Sequence, residues 1–234
     1  MSVPVRLAVL ASGGGSNLQA LLDHLDVSSP RRAEVALVLS NRPDAGALQR
    51  ARARGVDARV LASHEDGDAL LQLLRDADIG LVVLAGYLKL VPAAVTRAYR
   101  GRVLNVHPAL LPAFGGPGMY GRRVHQAVLD AGVRVSGPTV HFVDDVYDRG
   151  AIVAQWPVPV LTGDNAESLA ARVLTAEHAL FPRVVEAVAA GRLALDEDGH
   201  VRGSLLAEAD VAAFTLSTDP TFSLAEAMDA AFAR

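Results

Sequence analysis

Residues 5–25, VRLAVLASGGGSNLQALLDHL, decide the fold. Residues 5–11 are an apolar run of strand length, and Ser12-Gly13-Gly14-Gly15 interrupts it. Ser16 follows at a position that suits a helix cap, and an amphipathic pattern then continues to about residue 25. The stretch therefore predicts a strand, a tight loop and a helix.

The pattern repeats outward from this unit. Apolar runs rich in branched residues lie at 35–39, around Val60 and at 79–85, and helical patterns at 44–54 and 67–77 separate them. Such alternation is typical of parallel strands joined by helices. We therefore expect an α/β fold, with a mostly parallel sheet and helices on both of its faces.

The second half of the chain continues with fewer regular units. A strand predicted at 102–106 stops at Pro108, because proline cannot donate to a sheet and holds the preceding His107 extended. A Pro- and Gly-rich loop is predicted at 108–118. The remaining predictions are a helix at 119–131, strands at 135–143 and 151–161, and a helix at 166–190 that Pro182 disturbs.

The last forty residues differ from the rest. Asp198-Gly199 between short alternating segments predicts a hairpin at 193–201, and the tail after it is rich in alanine without a motif. We expect a catalytic domain at 1–193, and a C-terminal hairpin and tail of unknown role at 194–234.

Composition excludes several classes of function. The chain has 234 residues, a net charge of −4 and no cysteine. The charge gives no basis for binding nucleic acid or an anionic membrane. The missing thiols exclude disulfides, thiolate metal sites and cysteine nucleophiles. The apolar run before Ser12 lacks the features of a signal peptide, so we expect a cytoplasmic protein.

The loop Ser12–Asn17 offers free backbone N–H groups at the start of a helix, where the helix dipole favours an anion. Phosphate is the natural ligand. Leu18 stands where a dinucleotide-binding loop has its third glycine, and the lysine of a P-loop is absent. A tight turn without a ligand is the alternative interpretation.

Asn105 and His107 are the first candidates for chemistry. Two residues apart on one strand, they lie on the same face of the sheet, where an amide and an imidazole could stabilise an oxyanion during acyl transfer. A structural Asn and His at the end of a strand is the alternative. A carboxylate near His107 would keep the imidazole charged, and the residues leave Asp144, Asp145 and Asp148 open for that role.

A metal site is not indicated. His125 and His141 are not at metal-ligand spacing from other His, Asp or Glu residues. We therefore expect no bound metal.

Five segments stand out in order along the chain: SGGGSN (12–17), AGYLKL (85–90), NVHPALLP (105–112), PTVHFVDDVYDRG (138–150) and Glu177-His178. The most specific part is Asn105-Val106-His107-Pro108, which is followed about forty residues later by a His-Phe-Val loop and an aspartate. Together these segments resemble the folate-dependent phosphoribosylglycinamide formyltransferase family.

This resemblance implies a Rossmann-like formyltransferase fold and a site for two small molecules. It places the phosphate of glycinamide ribonucleotide at Gly15, Ser16 and Asn17, and the glycinamide part near Glu177. Asn105, His107 and Asp148 match the catalytic residues of the family. The co-substrate, 10-formyltetrahydrofolate, is expected at Leu88, Lys89, Leu90, Val91, Val143 and Asp144.

Two sister enzymes share the Asn, His and Asp arrangement, namely methionyl-tRNA formyltransferase and formyltetrahydrofolate deformylase. The short, non-basic tail disfavours the first, and a start directly at the first strand disfavours the second. A binding or sensor domain without catalysis is the alternative from another class. We expect a purine-biosynthesis transferase that binds no nucleic acid or membrane and is a monomer or weak homodimer.

Overall fold

The structure, a computed structural model, describes residues 3–203. Its strands and helices alternate through most of this range. The strands are β1 (Val5–Leu10), β2 (Ala33–Ser40), β3 (Asp57–Val60), β4 (Leu81–Leu84), β5 (Val103–His107), β6 (Val135–Ser136), β7 (Thr139–Phe142), β8 (Ile152–Gln155), β9 (Val158–Pro159), β10 (Ala194–Leu195) and β11 (Val201–Arg202). The helices are α1 (Ser16–Val27), α2 (Gly46–Ala53), α3 (Gly67–Asp76), α4 (Ala93–Ala98), α5 (Arg122–Asp130) and α6 (Ala166–Ala189).

Seven strands form the central sheet in the order β3-β2-β1-β4-β5-β7-β8. Strands β1 to β5 pair in parallel, and β7 and β8 are antiparallel to their neighbours. The predicted mostly parallel sheet is confirmed. The antiparallel register of β5 and β7 places Asn105 opposite His141 and His107 opposite Thr139.

The sheet is covered on both faces, as predicted. Leu7 and Val9 of β1 belong to one apolar cluster, which includes side chains of α1, α2 and α6. Ala8 and Leu10, on the opposite face, belong to a second cluster with side chains of α3 and α4. Because successive side chains of a strand point to opposite faces, a strand buried on both sides reads as the continuous apolar run seen in the sequence.

Two predicted strands are each split in the structure. The stretch 135–143 divides into β6 and β7, and 151–161 divides into β8 and β9. Gly137 and Pro138 cause the first break, and Trp156-Pro157 lies at the second. A Cβ at Gly137 would lie 1.9 Å from the Trp156 carbonyl oxygen, so only glycine allows the two breaks to approach. As a result β6 and β9 pair as a small separate sheet.

Two helix predictions need correction, and one short helix was not predicted. Ser16 is the first residue of α1 and not its cap; the cap position is Gly15, with φ of 76° and no side-chain hydrogen bond. The helix predicted from residue 119 begins at Arg122. Helix α4 was not predicted, because its six residues are too few for a periodic pattern.

Helix α6 continues unbroken through Pro182. It begins with a capping box, in which the Asn165 side chain accepts from the backbone N–H of Ser168 and the Ser168 side chain accepts from the N–H of Asn165. This long helix spans the sheet beside α1 and α5 and carries Glu177 on its inner side.

The predicted hairpin is confirmed, since β10 and β11 pair in antiparallel fashion. The hairpin lies against earlier parts of the chain. The Arg100 guanidinium donates to the carbonyl oxygens of Asp196 and Glu197, and Leu195 packs on the main apolar cluster. The predicted tail beyond residue 203 lies outside the described residues. No described helix combines the length and the apolar character that a bilayer span requires.

Candidate active site

A cavity of about 610 Å³ opens at the carboxyl ends of β4 and β5. Crevices at strand ends are where α/β sheets bind ligands. Its walls are formed by the loop 86–91 after β4, the loop 116–121 before α5, the loop 143–148 after β7 and helix α6. Its volume is within the usual range for a small-molecule site.

Asn105 and His107 both line this cavity, as their two-residue spacing predicts. The Asn105 side-chain Nδ2 lies 3.0 Å from His141 Nε2, and His141 Nδ1 lies 2.8 Å from the Phe142 carbonyl oxygen. The carbonyl can only accept, so Nδ1 of His141 carries a proton, and Asn105 Nδ2, which has two hydrogens, lies within hydrogen-bond distance of Nε2. The second amide hydrogen of Asn105 is not used by His141.

Asp148 is the carboxylate that joins this cluster. Its Oδ2 lies 3.5 Å from His107 Nδ1, its Oδ1 lies 3.7 Å from His141 Nε2, and the Gly116 N–H donates to Oδ2 over 2.8 Å. Its backbone is in the left-handed region, with φ of 55°. Such strain in a residue other than glycine is characteristic of functional sites.

The two other aspartates of the loop lie elsewhere. The Asp144 side chain accepts from the Val146 N–H, and Asp145 contacts the Thr96 hydroxyl and lies 3.8 Å from the Arg97 guanidinium. The structure therefore brings Asp148, and neither of its neighbours, to His107.

The electrostatics of the pair differ from the expectation that Asp148 keeps His107 charged. Burial lowers the pKa of His107, and the opposing effect of the Asp148 carboxylate does not offset it. Burial raises the pKa of Asp148, but contacts with His141, His107 and the Gly116 N–H together bring it below its usual value. In the free protein, Asp148 is ionised and the neutral form of His107 is favoured, with Nε2 donating to the Phe114 carbonyl oxygen over 2.8 Å.

On the cavity wall, Asn17 meets Glu177. The Asn17 amide donates to Glu177 Oε2 over 2.6 Å, although 160 residues separate the two in sequence. Burial raises the pKa of Glu177 to about 7. Gly15 and Ser16 lie beside Asn17 at the start of α1, where the backbone N–H groups have no partner within the helix.

Four consecutive residues, Leu88 to Val91, also line the cavity, together with Val143. The side chains of Leu88 and Leu90 remain exposed, an arrangement that gives an apolar ligand a wall to cover. Asp144 does not line the cavity, whereas Val146 and Tyr147 of the same loop do.

Ser12 joins the loop before α1 to the segment after β4. Its hydroxyl donates to Asn41 Oδ1 over 2.6 Å and accepts from the Leu88 N–H over 3.0 Å. The loop before α1 and the apolar segment after β4 are thus fixed to each other.

The cavity wall also contains polar side chains that the sequence did not assign to the site, among them His141, Tyr87 and His125. His141 was recognisable as part of the His-Phe-Val segment, but its contact with Asn105 depends on the antiparallel register of β5 and β7. Tyr87 stands in an apolar stretch and His125 among the mixed residues of α5, so neither carried a signal beyond its residue type.

Within residues 3–203, a set of three potential metal ligands whose donor atoms all lie within 4.8 Å is found only at Asp196, Asp198 and His200. These residues belong to the hairpin between β10 and β11 and its turn, and do not line the cavity. The cavity residues do not form such a set.

A family model described as formyl transferase matches residues 5–185, most of the chain. The chain belongs to the formyl transferase family. The resemblance carried by the five sequence segments is thereby confirmed, and membership makes the chain a relative of transferases.

Relatives and solved structures agree with this assignment. The chain is 44% identical over 200 residues to the chloroplastic phosphoribosylglycinamide formyltransferase of Vigna unguiculata, covering 83% of this chain and 64% of that protein. It is 38% identical over 202 residues to the Escherichia coli phosphoribosylglycinamide formyltransferase, covering 83% of this chain and 92% of that protein. The chain thus spans less than two thirds of the Vigna protein and nearly all of the Escherichia coli one.

A crystal structure of glycinamide ribonucleotide transformylase 1 from Symbiobacterium toebii matches with a TM-score of 0.77 and 42% identity. The match covers 85% of this chain and 93% of that one. It confirms the predicted fold class.

Proposed function

We propose that this chain transfers the formyl group of 10-formyltetrahydrofolate to the amine of glycinamide ribonucleotide, N1-(5-phosphoribosyl)glycinamide, in de novo synthesis of the purine nucleotide IMP. The observation that carries the proposal is that Asn105, His107 and Asp148 line one cavity together with the polar pair Asn17 and Glu177 and an apolar wall. The names of the relatives support the same reaction.

The polar pair of Asn17 and Glu177 suits the ribonucleotide. Its phosphate would meet the N–H groups of Gly15, Ser16 and Asn17 at the N-terminus of α1, where the helix dipole favours an anion. Glu177, buried beside Asn17, would accept hydrogen bonds from the sugar or the glycinamide part.

The apolar wall suits the ring system of a folate. Leu88, Leu90, Val91 and Val143 would cover its faces, and Lys89 would meet its anionic part. Asp144, outside the wall, would contribute through the loop that carries Val146 and Tyr147. Once bound, the folate supplies a formyl group on a nitrogen that serves as the leaving group.

Asn105 and His107 would stabilise the oxyanion that forms when the ribonucleotide amine attacks the formyl carbon. Asn105 has one amide hydrogen left after its bond to His141, and that hydrogen serves the oxyanion. The negative charge of the oxyanion favours protonation of His107, so the imidazole becomes charged during the reaction although it is neutral in the free protein.

Asp148 would hold His107 in place and receive the proton that the attacking amine loses, through one water molecule. The formyl carbon–nitrogen bond of the folate then breaks, and that nitrogen takes up a proton. A proton thus moves overall from the amine to the leaving nitrogen, and no metal is required.

In this proposal the partners of the protein are small molecules, and we expect the protein to be a monomer or weak homodimer.

An absorbance assay for tetrahydrofolate, run with and without glycinamide ribonucleotide, tests the proposal. Formation of tetrahydrofolate only in the presence of the ribonucleotide is the expected result. Turnover without it indicates a deformylase that uses water as acceptor, and no turnover in either case contradicts the proposed reaction.

A further inference from the structure

His125 is a buried histidine of the cavity wall for which the proposed reaction has no role. It lies on α5, its side chain lines the cavity, and 4% of its surface is exposed. Its Nδ1 is shielded from solvent and has no hydrogen-bond partner within residues 3–203.

Leaving such an atom unpaired costs about 1–3 kcal/mol. Within the described residues five buried side-chain atoms are unpaired in this way, and three of them, on Asn17, Tyr87 and His125, belong to side chains of the cavity. An unpaired polar group beside a cavity needs a partner that the described residues do not supply.

The position of His125 indicates which molecule. Helix α5 packs on α6, where Val128 contacts an apolar cluster with Leu169 and Val173. His125 lies three residues before Val128, about one turn away on the same helix, and it lines the cavity, as do the α6 residues Leu174 and Glu177. Two helices that pack on each other thus supply His125 and Glu177, and Glu177 is the residue proposed to contact the ribonucleotide.

We propose that His125 contacts the ribonucleotide substrate through a hydrogen bond from its imidazole and so contributes to substrate specificity. The inference rests on the proposed function and adds a residue of α5 to a binding site otherwise formed by α1 and α6. Burial and the neighbouring His107 lower the pKa of His125, which keeps the ring neutral. A neutral imidazole has one donor and one acceptor, the combination that a ribose hydroxyl also has.

Steady-state kinetics of His125→Phe test the proposal. The phenyl ring fills the site of the imidazole but cannot form a hydrogen bond, so we expect the KM for glycinamide ribonucleotide to rise roughly tenfold. We expect the KM for 10-formyltetrahydrofolate to change less than twofold. In His125→Gln, the new amide can both donate and accept a hydrogen bond. The KM for the ribonucleotide in this variant should lie between those of the wild type and of His125→Phe.

A matched control is Ser136→Ala. Ser136 is also buried with an unpaired oxygen, but it does not line the cavity. Its substitution should leave both KM values unchanged. Unfolding in denaturant shows whether each variant is folded. If His125→Phe does not fold, the KM values of His125→Gln test the proposal.

The outcomes separate the two proposals. An unaltered KM for the ribonucleotide in both His125 variants, with a wild type that turns it over, overturns the role of His125. A rise confined to the KM for the folate also overturns the role of His125, because such a result indicates contact with the folate and not with the ribonucleotide. Failure of the wild type to use the ribonucleotide contradicts the proposed function itself.

Discussion

At the scale of single residues, the site depends on side chains that hold one another in place. Asn105 contacts His141, and Asp148 lies near both His141 and His107. His107 and His141 are almost fully buried, so solvent contributes little to their orientation. Each residue therefore affects the geometry or the charge of the next, and the following two predictions separate these effects.

Asn105→Ala removes one donor to the oxyanion. Loss of such a donor costs a hundredfold to a thousandfold in turnover, so we expect kcat to fall by that factor. The KM values should change little if Asn105 acts mainly on the transition state. Steady-state kinetics check this, and turnover close to that of the wild type would falsify the assignment.

Asp148→Asn tests the coupling between the carboxylate and the imidazole. Asp148 is the largest influence that raises the pKa of His107 against burial, so its removal lowers that pKa further. If protonated His107 serves the reaction, the decline of kcat at high pH begins at a lower pH in the variant. A pH–rate profile of the same shape and position in both proteins contradicts the coupling.

At the scale of elements, local sequence predicted the strands that run straight through the sheet and failed where tertiary contacts decide. Strands β1, β2 and β4 were recognisable because both of their faces are buried. The breaks between β6 and β7 and between β8 and β9 depend on the approach of Gly137 to Trp156, which no single segment reveals. Pro182 raised the opposite problem, since α6 continues through it with Phe181 and Val184 buried in the core.

The start of α6 offers a test at this scale. Asn165→Ala removes the side chain that accepts from the N–H groups of Glu167 and Ser168, so we expect the free energy of unfolding to fall by about 1 kcal/mol. Ser16→Ala is the control, because no side-chain hydrogen bond caps α1 and its stability should be unchanged. Denaturant unfolding measures both, and equal losses in the two variants contradict the capping role.

At the scale of the whole molecule, the sequence predicted which residues carry chemistry better than how they meet. The order of the sheet brings the end of β5 beside β7, so Asn105 and His107 meet His141 and Asp148 from later in the chain. Spacing alone left three aspartates open, and the family resemblance selected Asp148. The structure places the same residue in the cluster, but it also shows that burial outweighs the carboxylate in setting the charge of His107.

The contact between Asn17 and Glu177 joins α1 to α6 and makes stability depend on pH. Burial raises the pKa of Glu177 to about 7, so the folded state retains a proton that the unfolded chain releases near pH 4.5. Between pH 4.5 and about pH 7 the unfolded state binds fewer protons than the folded state. The contribution of Glu177 to the free energy of unfolding therefore declines as the pH rises through this range. Glu177→Gln removes this dependence and still accepts from Asn17.

As the pH rises from 5 to 8, we expect the free energy of unfolding of the variant to increase relative to that of the wild type. The increase is of the order of 3 kcal/mol, since one pKa unit corresponds to about 1.4 kcal/mol. Denaturant unfolding at both pH values measures the difference. Parallel changes in the two proteins contradict a raised pKa for Glu177.

Lys89 is the single lysine of the 234-residue chain, and it lies on the wall of the cavity. Apart from the amino terminus, an amine-reactive reagent therefore has one target, and that target is in the proposed folate site. Conjugation of dyes, immobilisation through surface amines and aldehyde cross-linking would all report on this site and impair it. Conversely, reductive methylation with labelled formaldehyde would place one side-chain NMR probe where the folate is expected to bind.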